Sequence, residues 1–167
     1  PHVEQIYESI RDIYEYSDKK YSVVSPRCIE DVLREGENLH HCVGSSDRYW
    51  ERIERKESYV LFLRHSNAPE KAYYTLEIEP DGTVRQKRTM YDRQGADIEE
   101  AKKFLKKWQK EVSKRISSEE KQLARNSHSL REQEFAEMRE KQLVINTGQL
   151  AGRLLVDVLT EDLMEAA

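Results

Sequence analysis

Two histidines, a cysteine and two serines crowd into the stretch Leu39-His40-His41-Cys42-Val43-Gly44-Ser45-Ser46. An imidazole can give or take a proton near neutral pH, and a thiolate can attack or bind metal. Neighbours in an extended chain point to alternate sides. A zinc ion here would therefore need ligands from elsewhere, such as Cys28, His65, His128 or Glu77, and no metal site is expected. Cys42 can be read as a nucleophile with His40 or His41 as base, but a Cys followed by Val and Gly is more often a small buried residue. Ser45 lacks the G-x-S-x-G frame of a hydrolase elbow. The pattern offers one acid–base pair, His41 with Glu77, and Tyr49 and Arg64 can hold an anion beside it.

The elements that position these groups are readable from periodicity. Val3, Ile6, Ile10 and Ile13 mark an amphipathic helix over about 2–17. Ser25-Pro26 reads as a helix start, and Gly36 as its left-handed C-cap, so the histidine-rich stretch is rooted in a helix end. Ser45 or Ser46 can cap a third helix, about 47–57, with Tyr49, Trp50 and Ile53 on one side. Tyr59 to Arg64 is an apolar run of strand length, buried on both faces. Arg64 then needs a partner for its charge, and Glu77 is the plain candidate.

Residues from Ala72 to Glu79 alternate, Pro80-Asp81-Gly82 turns, and Thr83 to Thr89 returns as the second arm of a hairpin. Its register decides the chemistry. A two-residue Asp81-Gly82 turn sets Glu77 opposite Gln86 and gathers Thr75, Glu77, Gln86 and Arg88 on one face. A three-residue loop sets Ile78 opposite Val84 and Glu77 opposite Arg85, which makes an ordinary salt-paired outer face.

Ile98, Ala101, Leu105, Trp108 and Val112 define a helix over about 97–116. Between them stand Lys102, Lys103, Lys106, Lys107, Lys110, Lys114 and Arg115, against the single acid Glu111. Such a face is either merely solvated or made for phosphates. Ser117-Ser-Glu-Glu120 is a capping box opening a long polar helix to about 143. Thr147 is expected to cap a final helix whose stripe from Leu150 to Leu159 packs in a helical hairpin or on a partner.

Length and composition bound the rest. The 167 residues fit one domain with an appended helical element, and the net charge of −4 excludes a uniformly basic nucleic-acid binder but not a local basic face. Two cysteines make no disulfide framework, which points to a reducing, cytoplasmic setting. No apolar run approaches the roughly 20 residues of a membrane helix. The chain begins at Pro1, already close to a helical pattern, as a piece of a longer protein would.

Five separated motifs resemble the PcfJ-like domain: Leu39 to Ser45, then Tyr49, Val60 to Arg64, Tyr74 to Ile78, and Val84-Arg85-Gln86. The likeness spans roughly 30–112. It matches His41, Cys42, Gly44, Ser45, Tyr49, Arg64, Thr75, Glu77 and Gln86 to the family pattern. It departs after Gln86, where Thr89 stands for a Gly and Asp92 near an expected Asn. The resemblance implies conjugative plasmids, integrative elements and phages as the setting. It also makes a shared polar pocket, and hence the two-residue hairpin register, the favoured reading.

The sequence thus predicts an α+β protein with a small, mostly antiparallel sheet packed by helices. A PcfJ-like domain over 1–116 is followed by a C-terminal helical extension over 117–167. The expected function is that of a mobile-element accessory protein binding DNA or a nucleotide-like ligand. The ligand residues are Cys42, Ser45, Tyr49, Arg64, Thr75 and Gln86, and the nucleic-acid face comprises Lys102, Lys103, Lys106, Lys107, Lys110 and Lys114. The alternatives are an enzyme acting on a nucleotide or phosphoester through His41 and Glu77, and a protein-interaction module using the C-terminal helices. No cofactor is indicated by any motif.

Overall fold

The computed structural model describes residues 2–36, 39, 48–89 and 96–166. An antiparallel meander of five strands forms its centre: β1 (Tyr16–Ser17), β2 (Tyr21–Val24), β3 (Tyr59–His65), β4 (Tyr74–Ile78) and β5 (Val84–Arg88), neighbours in that order. Around it lie α1 (His2–Tyr14), α2 (Ile29–Gly36), α3 (Arg48–Glu54), α4 (Ile98–Arg115), α5 (Ser118–Lys141) and α6 (Leu155–Asp162). The protein is α+β.

The two faces of the sheet differ in kind. On one, Leu61, Leu63, Leu76, Ile78 and Val84 are fully or almost fully buried, with Leu105, Trp108 and Val112 of α4 in the same core. The Trp108 indole donates to the Tyr14 carbonyl at 2.7 Å and fixes α4 to the end of α1. On the other, Val60 pairs with Glu77 and Phe62 with Thr75. This second face is polar yet buried, and α2 and α3 supply its partners.

The first helix is shorter than its apolar spacing predicts. It stops at Tyr14 because Tyr16 and Ser17 pair with Val23 and Ser22 instead. β2 in turn stops pairing at Val24, opposite Phe62. Further along β3, the Tyr7 hydroxyl donates to the Val60 carbonyl at 2.9 Å and accepts from the Val60 amide at 2.8 Å. One phenol thus meets both backbone groups that the short strand leaves over.

The hairpin contains both of the registers that the sequence allows. The Glu79 amide donates to the Thr83 carbonyl and the Gly82 amide to the Glu79 carbonyl, each at 2.8 Å, so Pro80-Asp81-Gly82 is the three-residue loop. Gly82 sits at φ +93°, where an L side chain is strained. Ile78 accordingly faces Val84. The ladder then shifts by one residue at Arg85, and Glu77 faces Gln86 and Thr75 faces Arg88. A bulge converts one register into the other.

At the C-terminal side, both halves of the capping box at Ser117 and Glu120 are made. The last helix starts later than expected: its N-cap is Leu154, not Thr147. Gly148 and Gly152 take positive φ, and the Ile145 amide bonds the Arg153 carbonyl while the Gly152 amide bonds the Ile145 carbonyl. The chain folds back through these turns before α6 begins. The predicted apolar stripe is used within the chain: Leu155, Val156, Val158 and Leu159 are buried together with Met138 of α5. Beyond α6, Met164 pairs with Val84 and covers part of the β5 edge.

Candidate functional site

On the buried polar face, charges are neutralised pair by pair. Glu77, in the middle of β4, has no exposed surface. Its carboxylate accepts from Arg52 of α3 (Nε to Oε2 2.5 Å, Nη2 to Oε1 3.2 Å), from the Ser58 hydroxyl at 2.5 Å and from Gln86 Nε2 at 2.8 Å. Burial pushes this carboxyl up, but the Arg52 and Arg85 guanidiniums and the bonds from Arg52 and Ser58 outweigh it and bring it down to about 2. The bulge turns Arg85 onto this face. It donates to Glu79 at 2.9 Å, to Glu57 at 3.2 Å and to the Ser127 hydroxyl at 3.0 Å. Arg131, deep on α5, completes the layer with Nε on Glu79 at 2.6 Å.

Arg64 belongs to the same face but not to the same pair. Its partner is Glu35 at the end of α2, with Nη2 on Oε2 at 2.5 Å, and not Glu77 as its strand position suggests. Arg64 Nε also donates to the Pro69 carbonyl at 3.2 Å. The Thr75 hydroxyl donates to the Glu35 carbonyl at 3.0 Å. Glu35 Oε1 is buried and accepts no hydrogen bond.

Gly36 ends α2 without a left-handed conformation, which corrects its reading as a C-cap. Its lack of a side chain serves another purpose. A Cβ there would lie 3.2 Å from the Tyr49 ring, so the end of α2 and the start of α3 meet at this contact. His40, His41, Cys42 and Ser45 lie between these two helices and outside the described residues. Asp92, between β5 and α4, is also outside the described residues. Of the site residues expected from sequence, the structure brings the ligand residues Thr75 and Gln86 to the same face as the acid–base candidate Glu77, while Arg64 of β3 meets the end of α2 and Tyr49 stands at the start of α3. Sequence reasoning missed Glu35, Arg52, Ser58, Glu57 and Arg131. Arg52 carried a signal only in retrospect, standing one residue before the buried Ile53 on a helix of seven residues.

A second cluster joins β2, β3 and the start of α4. The Asp97 carboxylate accepts from Tyr21 at 2.7 Å, from Tyr73, and pairs with His65 Nε2 at 2.9 Å. Partial burial opposes its charge, but these three donors hold it well below the usual carboxylate range. His65, named above as a zinc ligand, is thereby engaged. His128 faces Arg131, at 2.7 Å from Nδ1 to Nη2. Among the described residues, it could share an ion only with the exposed Glu132 and Glu165, whose ligand atoms lie within 4.8 Å of it and of each other. A guanidinium beside the imidazole works against a cation there.

The lysines of α4 divide into three groups. Lys103, Lys106, Lys107, Lys110 and Lys114 are exposed, while Lys102 is half-buried. Lys107 bonds Asp18 at 3.0 Å, and Lys114 lies 3.8 Å from Glu111. Lys103, Lys106 and Lys110 have no side-chain partner among the described residues. Spacings of three and four place all five exposed lysines along one stripe. No helix among the described residues is long and apolar enough to cross a membrane.

Comparison with known proteins places this frame. The family model described as PcfJ-like protein matches residues 2–105, well over half of the chain. A curated relative from Listeria innocua serovar 6a, printed as Uncharacterized protein Lin1253/Lin1744, is 34% identical over 96 residues, covering 57% of this chain. The aligned part is only 20% of that relative's length. No solved structure matches. The family match takes in α1 through the first half of α4, and with it the polar face, the hairpin and the histidine-rich stretch. The chain belongs to the PcfJ-like protein family.

Proposed function

We propose that this chain is a nucleic-acid-binding accessory protein of a mobile genetic element, with α4 as its contact surface. The observation that carries this reading is the lysine stripe. Five ammonium groups project from a helix whose other side is anchored by Leu105 and Trp108, and three of them have no carboxylate partner among the described residues. An 18-residue helix is about 27 Å long, enough to follow several phosphates. The mobile-element setting rests on the family likeness.

Fluorescence anisotropy with labelled single- and double-stranded DNA tests it. Five phosphate contacts imply that log K falls with log salt at a slope of roughly −3.5 to −4.5. The triple variant K103E/K106E/K110E, confined to exposed unpaired side chains, is expected to weaken binding on every sequence alike. A flat salt response, or unchanged binding by the triple variant, sinks the proposal.

One observation favours a second reading, an enzyme acting on a phosphoester with His41 as acid–base group. The helices flanking the His41 stretch meet at Gly36 and Tyr49, and the buried Glu35 Oε1 beside them accepts nothing. In this reading Glu77 is a poor proton acceptor for His41, because it is saturated by donors and stays ionised to about pH 2. His41→Ala is expected to keep the fold and lose hydrolysis of a generic phosphodiester. Absence of hydrolysis by the parent chain removes this reading.

A further inference from the structure

A cleft of about 520 Å³ opens at the free end of β5, between the start of α4 and the segment leading into α6. Arg88 is among the residues that line it, with a side chain that is 10% exposed. The Nε and Nη2 groups of Arg88 are buried and make no hydrogen bond. The nearest carboxylate, Asp162, lies 3.3 Å from Nη2 as an ion pair without hydrogen-bond alignment. Asp162 is committed elsewhere: Oδ2 accepts from the Lys87 amide at 2.8 Å and Oδ1 from Lys87 Nζ at 3.2 Å. One carboxylate thus serves two cations.

Leaving two guanidinium donors buried and unmade is costly unless something else accepts from them. A guanidinium fork matches two oxygens of an oxyanion; Nε and Nη2 are covered here, so Arg88 meets one once its side chain turns toward the cleft. Lys102 also lines the cleft and adds charge; its own partner Glu99 is 3.5 Å away and 81% exposed. Arg153 on the rim is neutralised by Glu161. Among the described residues, Lys87, Arg88, Lys102 and Arg153 thus face only Asp162, Glu161 and the exposed Glu99, an excess of positive charge that favours a phosphate monoester carrying about −1.5 to −2 at pH 7. Ile98 and Leu150, both partly exposed, add an apolar patch to a lining that is otherwise mostly polar. The volume falls within the range of about 300–1,000 Å³ for small-ligand sites.

We propose that this cleft binds a phosphate monoester attached to an apolar or aromatic group, with Arg88 taking the phosphate and Lys102 assisting. The site is distinct from the exposed lysine stripe and does not depend on it. Two sources share this chemistry, a free nucleoside monophosphate and the 5′-phosphorylated end of a strand.

Thermal shift and isothermal titration on the full chain decide, with AMP, adenosine, and one short oligonucleotide carrying either a 5′-phosphate or a 5′-hydroxyl. AMP binding with adenosine inert identifies a nucleotide site. A preference for the 5′-phosphorylated strand over its hydroxyl twin, without AMP binding, identifies a strand-end site. In either case Arg88→Gln is expected to reduce affinity at least tenfold. Lys102→Gln, on a half-exposed side chain, is expected to weaken it severalfold with an unchanged melting temperature, so the test survives if Arg88→Gln fails to fold. The triple variant K103E/K106E/K110E is expected to leave AMP binding intact. Absence of any phosphate-dependent binding, or binding indifferent to Lys102→Gln and to any folded Arg88→Gln, overturns the assignment.

Discussion

Arg52 grips Glu77 with two N–H groups, Nε on Oε2 at 2.5 Å and Nη2 on Oε1 at 3.2 Å, in a place where Glu77 has no exposed surface. The pair crosses from α3 to the centre of the sheet, and it is the contact that holds α3 against the polar face. Removing one member of a buried ion pair strands the other, at a cost of about 3–5 kcal/mol. Arg52→Met is therefore expected to lose about that much in urea denaturation. Adding Glu77→Gln removes the stranded charge, so the double variant should be more stable than Arg52→Met alone. Additive losses would show that the two side chains are not coupled.

Acid should act through the same carboxylate. The two guanidiniums beside Glu77 hold its carboxyl down to about 2 in the folded chain, against an ordinary value of 4.5. Its folded-state value is depressed, so its contribution is complete above about pH 4.5 and is lost as pH falls toward 2. For a fully buried group the size is on the order of 3 kcal/mol. Asp97, also held low, adds to the same acid limb. Stability measured between pH 7 and 3 should stay level and then fall below pH 4.5. Glu77→Gln should be less stable at neutral pH and show a shallower fall. An unchanged acid limb in that variant would count against the assignment.

Tyr7 stands in for a missing length of strand, serving both the amide and the carbonyl of Val60. Tyr7→Phe keeps the ring and removes both bonds. A buried backbone group left unpaired costs about 1–3 kcal/mol, so a loss of about 2 kcal/mol or more is expected. Amide exchange at Val60 should accelerate more than at Leu61, whose residue pairs with Leu76. Equal protection at Val60 in the variant would refute the role.

Cutting the chain after Ile116 tests whether the C-terminal helices are an appendage. Ser127 and Arg131 of α5 bond Arg85 and Glu79, and Met164 pairs with Val84. The shortened chain would leave Glu79 and Arg85 facing water on one side and open the β5 edge, an invitation to edge-to-edge pairing. A lower melting temperature and aggregation seen by light scattering are expected. A monomer of unchanged melting temperature would support the division at residue 117.

Local features of the fold were legible in the sequence, and long-range pairings were not. The apolar spacing from Ile98 to Val112 gives α4 almost to the residue, and Ser117 with Glu120 announces α5, because both signals lie within one or two turns. Tyr16 fits the helical spacing of α1 equally well, so β1 was hidden until Val23 was known to lie opposite it. The hairpin registers competed because Asp81-Gly82 and Pro80-Asp81-Gly82 are both sound turns, and the bulge at Arg85 that reconciles them carries no turn signature. Arg131 reads as one charge among many on a polar helix. Its value comes from Glu79, 52 residues earlier, and no periodicity reports such a distance. For the candidate site, Thr75, Glu77 and Gln86 were found as a set, while Arg52 and Glu35, the groups that actually hold Glu77 and Arg64, were not.

The contact between Gly36 and the Tyr49 ring has a bearing on how this protein can change. It clamps the two ends of the 37–47 segment using residues that lie outside that segment. The entropy of closing a loop depends on its ends and only weakly on its length. Lengthening or shortening the chain between the two helices therefore changes the cost of this closure only slightly. The joint between the two helices and the ion-paired sheet beneath it can thus stay as they are while the spacing in sequence between those helices changes.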